Sequence, residues 1–317
     1  MTEDAQPVLI LAGPTASGKS ALALALAGEF DGVVINADSM QVYRELRILT
    51  ARPTPQDEER APHRLYGVLS AAERCSAGSW RGMALAEIAA AHDAGRLPIV
   101  CGGTGLYLKA LAGGLSPMPI IPASVRERLT ARLAVDGAAV LHAELASRDP
   151  DIAARLDSND SQRIVRALEV LEATGQSLAA WQAGPAEPPA RNLRFATILL
   201  APPREALYSA CEKRLAAMLT AGALDEVRQL NAMALNPSLP AMKAVGVREF
   251  SEYLAGNCDL PAALAAARQA TRRYAKRQMT WFRHQIVADM LITEQFSESF
   301  LPKTFSFIRH KLLTTTV

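Results

Sequence analysis

The chain has 317 residues, half of them hydrophobic, and a formal net charge of +2. This length accommodates one large or two smaller domains, and the nearly balanced charge excludes a protein that is basic over its whole surface. Four scattered cysteines without a C-x-x-C pair exclude a disulfide scaffold and a zinc site, and they favour a cytoplasmic location. The polar N-terminus does not resemble a signal peptide, and no apolar run approaches the roughly 20 residues of a membrane span, so no membrane association is expected.

The first predicted strand leads directly into a candidate phosphate-binding loop. The apolar run 8–12 precedes Gly13-Pro14-Thr15-Ala16-Ser17-Gly18-Lys19-Ser20, which fits the pattern G-x-x-x-x-G-K-[ST], and strong helix formers follow at 21–27. In such a loop, backbone N–H groups and the helix N-terminus converge on an anion. Lys19 adds a positive charge, and the Ser20 hydroxyl is a candidate ligand for Mg²⁺. The motif leaves open whether the phosphate belongs to a nucleotide, and whether it is transferred or released.

Three further apolar runs predict strands at residues 33–36, 97–101 and 195–200, with helical stretches between them. This alternation predicts an α/β fold, a parallel sheet with flanking helices of the P-loop NTPase-like kind. Ligands of such sheets bind beyond the carboxyl ends of the strands. We therefore expect Asp38 and Thr104, which follow two of these strands, to lie on the same rim as the phosphate loop.

The middle of the chain predicts an inserted all-helical domain. Asn159 and Asp160 can cap a helix that stops at Gly175, and the segment 184–189 is a Pro-rich linker back to the sheet. More helices follow residue 200, and the last twenty or so residues, which show no clean period, are expected to form a loosely held tail. The predicted organisation is an α/β core at 1–121, a helical insertion at 122–184, a return to the core at 185–288 and a tail at 289–317.

Asp38 is the main candidate for chemistry, as a metal ligand or as a general base, although a turn or helix-cap role is also compatible with its position. Gln41, close behind it, is a candidate for hydrogen bonds to a base edge. The segment 268–284 carries six Lys or Arg residues and no acid, with Tyr274 and Trp281 among them. Such a helix suits a polyanion such as RNA, unless acids elsewhere in the fold neutralise it. Together these features indicate group transfer from a phosphorylated donor onto or near a nucleic acid, and do not separate a kinase from a transferase.

Several blocks, in family order across about residues 8–284, closely resemble bacterial tRNA dimethylallyltransferases, also called tRNA isopentenyltransferases. The blocks are the phosphate loop, Ile35-Asn36-Ala37-Asp38-Ser39-Met40-Gln41-Val42-Tyr43, Gly102-Gly103-Thr104-Gly105-Leu106-Tyr107, Asn159-Asp160-Ser161-Gln162-Arg163-Ile164-Val165-Arg166-Ala167-Leu168-Glu169, Ala244-Val245-Gly246-Val247-Arg248-Glu249 and Ala275-Lys276-Arg277-Gln278-Met279-Thr280-Trp281-Phe282-Arg283. Two departures from the family pattern are Val247, where an aromatic residue is expected, and Gly105, which replaces a bulkier residue.

The resemblance implies transfer of a dimethylallyl group from dimethylallyl diphosphate to N6 of adenosine 37, just 3′ of the anticodon, in tRNAs that read codons beginning with U. The products are N6-(dimethylallyl)adenosine and diphosphate, and Mg²⁺ is the implied cofactor. The phosphate loop would then hold a leaving diphosphate. A carboxylate that accepts the N6 proton would help a poor nucleophile, and Asp38 matches the base of the family.

The resemblance also implies roles for individual residues, which we state as expectations. Asp38, Thr15 and Lys19 would be catalytic. The diphosphate would be bound by residues 13–20 and Arg214, and Ser20 would ligate the metal. The expected tRNA contacts are Asp38, Ser39, Met40, Gln41, Thr104, Arg126, Gln162, Arg163, Ile164, Val165, Arg166, Lys243, Ala244, Val245, Gly246, Val247 and Arg248. A monomer is expected, since such an enzyme wraps one stem-loop.

Three alternatives remain at this point. An adenylate isopentenyltransferase shares the phosphate loop and Asp38 but needs no helical insertion or basic helix. A small-molecule kinase would hydrolyse or transfer the phosphate of ATP. An RNA-binding protein with an inactive phosphate loop is disfavoured by the intact Lys19, Ser20 and Asp38.

Overall fold

A computed structural model describes residues 5–184 and 192–314 of the chain. The chain divides into two compact units, residues 1–113 with 190–317 and residues 114–189. The helical unit thus begins at residue 114, whereas the insertion was predicted to begin at 122. The predicted linker 184–189 lies, beyond Gly184, outside the described residues.

The first unit is built on a parallel sheet that has six strands within the described residues. The strands are β1 Gln6–Ala12, β2 Gly32–Asn36, β3 His63–Arg64, β4 Leu97–Gly102, β5 Leu193–Leu200 and β6 Met290–Ile292. They lie in the order β3-β2-β4-β1-β5-β6, and every pairing is parallel. The predicted parallel sheet is confirmed with its four strands. The short edge strands β3 and β6 were not predicted.

Helices cover both faces of this sheet. In the first unit they are α1 Lys19–Glu29, α2 Pro55–Arg60, α3 Ala77–Asp93, α4 Gly105–Gly113, α9 Arg204–Thr220, α10 Ala223–Ala232, α11 Val247–Leu254, α12 Leu260–Gln285 and α13 Leu301–Ile308. Short 3-10 turns occur at Ala241–Lys243 and Glu298–Phe300, and a π-helical turn at Arg309–Leu313. Alternate residues of β1 point into two apolar cores, Val8 and Ile10 into one and Leu9 and Leu11 into the other. A strand buried on both faces explains the continuous apolar run in its sequence.

The second unit is helical in its described part. Its helices are α5 Ala123–Arg148, which is interrupted at Gly137, α6 Pro150–Ala153, α7 Ser161–Thr174 and α8 Leu178–Ala183. The predicted limits of α7 are confirmed. The Asp160 side chain accepts a hydrogen bond from the backbone N–H of Arg163, and Gly175 ends the helix in the left-handed conformation, with φ 70°. Leu141, Leu145, Ile164 and Leu168 are among the fully buried residues of its separate core.

The expectation of a loosely held tail is wrong. β6 pairs with β5, and the residues after it pack on α1, with Thr304, Ile308 and Leu312 buried. The ring of Phe305 meets that of Phe30, at the end of α1, edge to face. These aromatic and aliphatic contacts are made to residues far away in sequence, which is why no local period revealed them.

The departure at Gly105 has a packing reason. A Cβ at this position would overlap the indole ring of Trp281, on α12. The glycine therefore lets α12 approach the first turn of α4 closely. Among the described residues, no helix is long and apolar enough to cross a lipid bilayer.

Candidate active site at the phosphate loop

The predicted phosphate loop lies between the end of β1 and the start of α1. Ala16 and Gly18 both have positive φ angles, 62° and 92°. The positive φ favours glycine at position 18, and a side chain there would also overlap Phe296 from the C-terminal segment. The amide nitrogen of Gln295 also donates to the carbonyl of Ala16, at 2.9 Å. The segment after β6 therefore packs directly against the loop.

Gln278, on α12, fixes the inner side of the phosphate loop. Its Oε1 accepts a hydrogen bond from the backbone N–H of Thr15 at 2.8 Å, and its Nε2 donates to the carbonyl of Gly103 at 2.9 Å. The side chain is almost fully buried, and its bond to Gly103 is shielded from water. One amide thus ties the phosphate loop to the glycine turn after β4.

The ammonium group of Lys19 folds back onto its own loop, where Nζ donates to the carbonyl of Pro14 at 2.6 Å. Burial, together with the charge of Arg214, lowers the pKa of Lys19 to about 8, although Asp38 acts in the opposite direction. A lowered pKa means that the ammonium form is less stable here than in water. An anion bound by the loop would therefore stabilise the charged form of Lys19.

Arg214, on α9, is a second cation beside the phosphate loop. Its guanidinium group donates to the hydroxyl of Thr15, and burial lowers its pKa. Among the described residues, no carboxylate lies within ion-pair distance of this side chain. A partly buried cation without an acid partner is unfavourable in isolation, and a bound anion would relieve it.

Asp38 is held in a tight turn just beyond β2. Its backbone N–H donates to Oδ1 of the buried Asn36 at 2.8 Å, and Asn36 Nδ2 donates back to the Asp38 carbonyl at 3.0 Å. The carboxylate accepts one hydrogen bond, from the backbone N–H of Met40 to Oδ1 at 2.9 Å. In the described structure the second oxygen, Oδ2, has no protein hydrogen bond. Asp38 is therefore fixed in direction and keeps one oxygen for a ligand.

Thr104 connects this turn to the end of β4. Its Oγ1 accepts a hydrogen bond from the Ser39 backbone N–H at 2.9 Å and lies 3.2 Å from the Ser39 hydroxyl. The three predicted features of the rim, the phosphate loop, the Asp38 turn and the glycine turn, are thus joined by direct hydrogen bonds and by Gln278.

A cavity of about 190 Å³ opens between these features. It is lined by Thr15, Asp38, Ser39, Met40, Leu49, Thr50, Cys211, Arg214, Leu215, Met218, Lys243, Ala244, Val245, Thr271, Tyr274 and Arg277. Asp38, the candidate base, and Arg214, the cation bonded to Thr15, therefore face the same space. A wider cavity of about 710 Å³ shares Lys243, Ala244, Val245 and Arg277 with it.

Gln41, for which a hydrogen bond to a base edge was predicted, is bonded within the protein through its side-chain nitrogen. Its side-chain nitrogen donates to the backbone carbonyls of Thr50 and Ala51, at 2.8 and 3.1 Å. The segment 243–248 is divided: Lys243 and Arg248 are exposed, whereas Ala244, Gly246 and Val247 are buried. Ala244 and Val247 pack in the apolar core, and the two exposed cations flank them in the sequence.

The expected tRNA contacts of the helical unit are divided as well. Gln162 and Arg163 are exposed, whereas Ile164 and Val165 belong to the apolar core, so their side chains are not available to a ligand. Arg126 and Arg166 both contact the buried carboxylate of Glu169, at 2.9 and 3.3 Å, and Arg163 lies 3.4 Å from Asp160.

The basic face of α12 is mostly unpaired. Arg272 forms an ion pair with Glu212. Within the described part of the chain, no ion pair involves the other cations of this face, which are Arg268, Arg273, Lys276, Arg277 and Arg283. Neutralisation by acids elsewhere in the fold therefore applies to Arg272 alone among the six residues.

Sequence reasoning assigned no role to Gln278 or Thr271, and it placed Tyr274 only among the aromatic residues of the predicted RNA-binding helix. A signal for the first two was present, because both are polar residues on the otherwise apolar buried stripe of α12. A buried polar side chain needs a hydrogen-bond partner, and here the partner of Gln278 is the phosphate loop.

Comparison with known proteins identifies the family. A family model described as IPP transferase matches residues 41–285, and another described as isopentenyl transferase matches residues 6–72. The chain belongs to the IPP transferase family. The curated tRNA dimethylallyltransferase of Paramagnetospirillum magneticum is 56% identical over 314 residues, 99% of this chain and 99% of that protein. That of Rhodospirillum centenum is 59% identical over 284 residues, 89% of this chain and 90% of its own length.

Solved structures of the family agree with this fold. The full-length tRNA isopentenylpyrophosphate transferase of Bacillus halodurans has a TM-score of 0.70 and 31% identity, and the match covers 98% of each chain. A eukaryotic dimethylallyltransferase, described as acting on tRNA, has a TM-score of 0.76 and 28% identity, over 96% of this chain and 78% of that one. The family resemblance drawn from the sequence is confirmed, and with it the P-loop NTPase-like α/β fold.

Proposed function

We propose that this chain transfers a dimethylallyl group from dimethylallyl diphosphate to N6 of adenosine 37 of tRNA, releasing diphosphate. The observation that carries the proposal is the shared cavity, in which Asp38 and the pair Thr15–Arg214 face the same space. This arrangement supplies an acceptor for a proton and a site for a departing anion. Curated relatives bear the name tRNA dimethylallyltransferase, which supports the choice of substrates.

The phosphate loop would stabilise the leaving group. Breaking the bond between the allylic carbon and the diphosphate oxygen places negative charge on the diphosphate. Lys19, Arg214 and the backbone N–H groups of residues 13–20 supply the positive charge and the donors, and they act most strongly on the charge that develops in the transition state. The hydroxyl of Thr15 is held by Arg214, so it is fixed before the substrate arrives.

Asp38 would act as the general base. As the N6–carbon bond forms, the N6 nitrogen becomes cationic and must lose a proton. The Oδ2 atom of Asp38 accepts that proton, while the hydrogen bond from Met40 keeps Oδ1 in place. A positioned base of this kind typically contributes about 10²–10⁴ in rate.

Mg²⁺ is the cofactor that we propose, and the donor set fits a metal held mainly by the substrate. Among the described residues, no group of three His, Cys, Asp or Glu side chains could hold a metal ion. Mg²⁺ usually retains several waters and binds substrate phosphates with few protein ligands, so Ser20 would be its protein ligand beside the diphosphate. When bound, the ion would neutralise charge on the diphosphate oxygens.

We propose that the tRNA backbone binds along the unpaired cations of α12 and the exposed Lys243 and Arg248. A row of cations without acid partners attracts a polyanion and loses affinity as salt rises. In the helical unit the exposed Gln162 and Arg163 remain the proposed contacts. We propose that the protein acts in the cytoplasm. We also propose that it acts as a monomer, because it binds one stem-loop at a time.

The test is a transfer assay with labelled dimethylallyl diphosphate, Mg²⁺ and unmodified tRNA, with AMP and ATP as competing acceptors. We expect label in tRNA, at the adenosine beside the anticodon, and none in a tRNA that carries guanosine there. Label in AMP would instead indicate an adenylate isopentenyltransferase, and turnover of ATP without label transfer would indicate a kinase.

The variant Asp38→Asn tests the base in the same assay. It keeps the shape of the side chain and the acceptor for Met40 but removes the proton acceptor. We expect kcat to fall about 10²–10⁴-fold, while inorganic diphosphate binds with unchanged affinity in calorimetry. A loss within tenfold would exclude Asp38 as the base.

A further inference from the structure

Glu226, on the first turn of α10, is a nearly buried carboxylate with an unusual set of partners. Oε2 accepts hydrogen bonds from the backbone N–H groups of Arg47 at 2.7 Å and Ile48 at 2.6 Å, and Oε1 accepts one from Leu49 at 2.9 Å. Within the described structure, no Lys or Arg lies within ion-pair distance of it. Three consecutive peptide groups of one loop thus compensate the buried charge.

Such an arrangement fixes the loop strongly. Hydrogen bonds to an ionised carboxylate are roughly twice as strong as neutral ones, and successive N–H groups that converge on one anion form a rigid cradle. Because the N-terminus of a helix favours negative charge, α10 also stabilises the carboxylate. The position of residues 47–49 is therefore set by Glu226, which lies far away in the sequence.

The other side of the same loop is tied to the turn that holds the candidate base. Gln41, three residues after Asp38, donates to the carbonyls of Thr50 and Ala51. The loop 47–51 is thus held between Glu226 and the Asp38 turn.

This loop also forms one wall of the candidate active site. Leu49 and Thr50 line the same cavity as Asp38 and Arg214. A displacement of the loop would change the space beside the carboxylate without altering any group of the phosphate loop, since no residue of 13–20 hydrogen-bonds to residues 47–51 in the described structure.

We propose that Glu226 is a positioning residue for the transfer reaction. It holds Leu49 and Thr50 at the distance from Asp38 that the acceptor needs, and it does not touch the substrate itself. This inference rests on the proposed function for the identity of the acceptor. A misplacement of about 1 Å at a reacting centre costs up to about 10²-fold in rate, so the effect is measurable.

The test compares Glu226→Gln with a matched control, Glu58→Gln. Glu58 forms an exposed ion pair with Arg47 at 3.4 Å, on the outer side of the same loop. Glu226→Gln replaces one carboxylate oxygen by an amide nitrogen, which cannot accept a hydrogen bond. We expect it to lower kcat/KM for transfer about ten- to a hundredfold while inorganic diphosphate binds normally. Glu58→Gln should leave both quantities unchanged.

A double-mutant cycle with Leu49→Ala decides whether Glu226 acts through the wall. If it does, Glu226→Gln should have a much smaller effect in the Leu49→Ala background than in the wild type. Independent, multiplicative effects would overturn the proposal, as would a parallel loss of diphosphate binding. If Glu226→Gln does not fold, as judged by its circular dichroism and thermal melt, the cycle is run with Glu226→Asp, which keeps the charge.

Failure of the proposed function would be visible separately. It would appear as wild-type protein that does not label tRNA, and the ratios between variants would then be measured with whichever acceptor the wild type uses. The positioning role depends only on those ratios.

Discussion

The rim of the sheet and the helical unit differ in whether their cations have acid partners. At the rim, Arg214 and the basic face of α12 carry cations that, apart from Arg272, have no acid partner among the described residues. In the helical unit the arginines at 126, 128, 132, 148, 163 and 166 each lie within ion-pair distance of an Asp or Glu. Both regions are rich in arginine, but most arginines of the helical unit already have an acid partner, whereas most cations at the rim do not.

This difference indicates which of the arginines singled out by a sequence motif are available to bind a phosphate. A cation that already has a carboxylate must give up that interaction before it binds a phosphate, and the exchange gains little. A cation without a partner gains the whole interaction. We therefore expect the larger losses of function when the substituted cation has no acid partner, and three variants test this.

The largest effect is expected from Arg214→Gln. The amide is polar, but it carries no charge to stabilise the departing diphosphate. We expect kcat/KM for dimethylallyl transfer to fall about 10²-fold, with weaker binding of inorganic diphosphate in calorimetry. The control is Arg96→Gln, which removes an arginine that already pairs with Asp31 at 3.6 Å. Equal losses in the two variants would contradict the comparison.

An intermediate effect is expected from the double variant Arg273→Gln and Arg277→Gln. Each exposed, unpaired cation that contacts a tRNA phosphate contributes about one unit to the slope of log K against log salt. The slope measured by filter binding should therefore fall by about two units. Arg272→Gln serves as the comparison, because Glu212 already neutralises that cation, and it should change the slope less. An unchanged slope in the double variant would remove α12 from the tRNA surface.

The smallest effect on function is expected from Arg166→Gln. Glu169 keeps its contact with Arg126, so the substitution should lower the free energy of unfolding by about 1 kcal/mol or less and leave the salt slope of tRNA binding unaltered. Urea unfolding and filter binding measure the two quantities. A fall of one unit in the slope would show that Arg166 leaves Glu169 to contact the tRNA.

The sequence predicted those parts of the molecule that depend on local patterns. The phosphate loop, the four buried strands and the caps of α7 each follow from a few neighbouring residues. β3 and β6 could not be predicted, because His63–Arg64 is polar and Met290–Ile292 is very short, and each forms only by pairing with a distant strand. Gln278 and Glu226 were missed for a related reason, since the backbone groups that they hold lie 175 to 263 positions away in sequence.

The contact of Gln295 and Phe296 with the phosphate loop has a consequence for the order of synthesis. The ribosome makes the loop well before the segment with these two residues, because the donor to the carbonyl of Ala16 lies 279 positions later in the sequence. Until that segment emerges, Gly18 lacks the aromatic side chain that covers it. A nascent chain therefore lacks these two contacts with its phosphate loop until the segment that follows β6 has been translated.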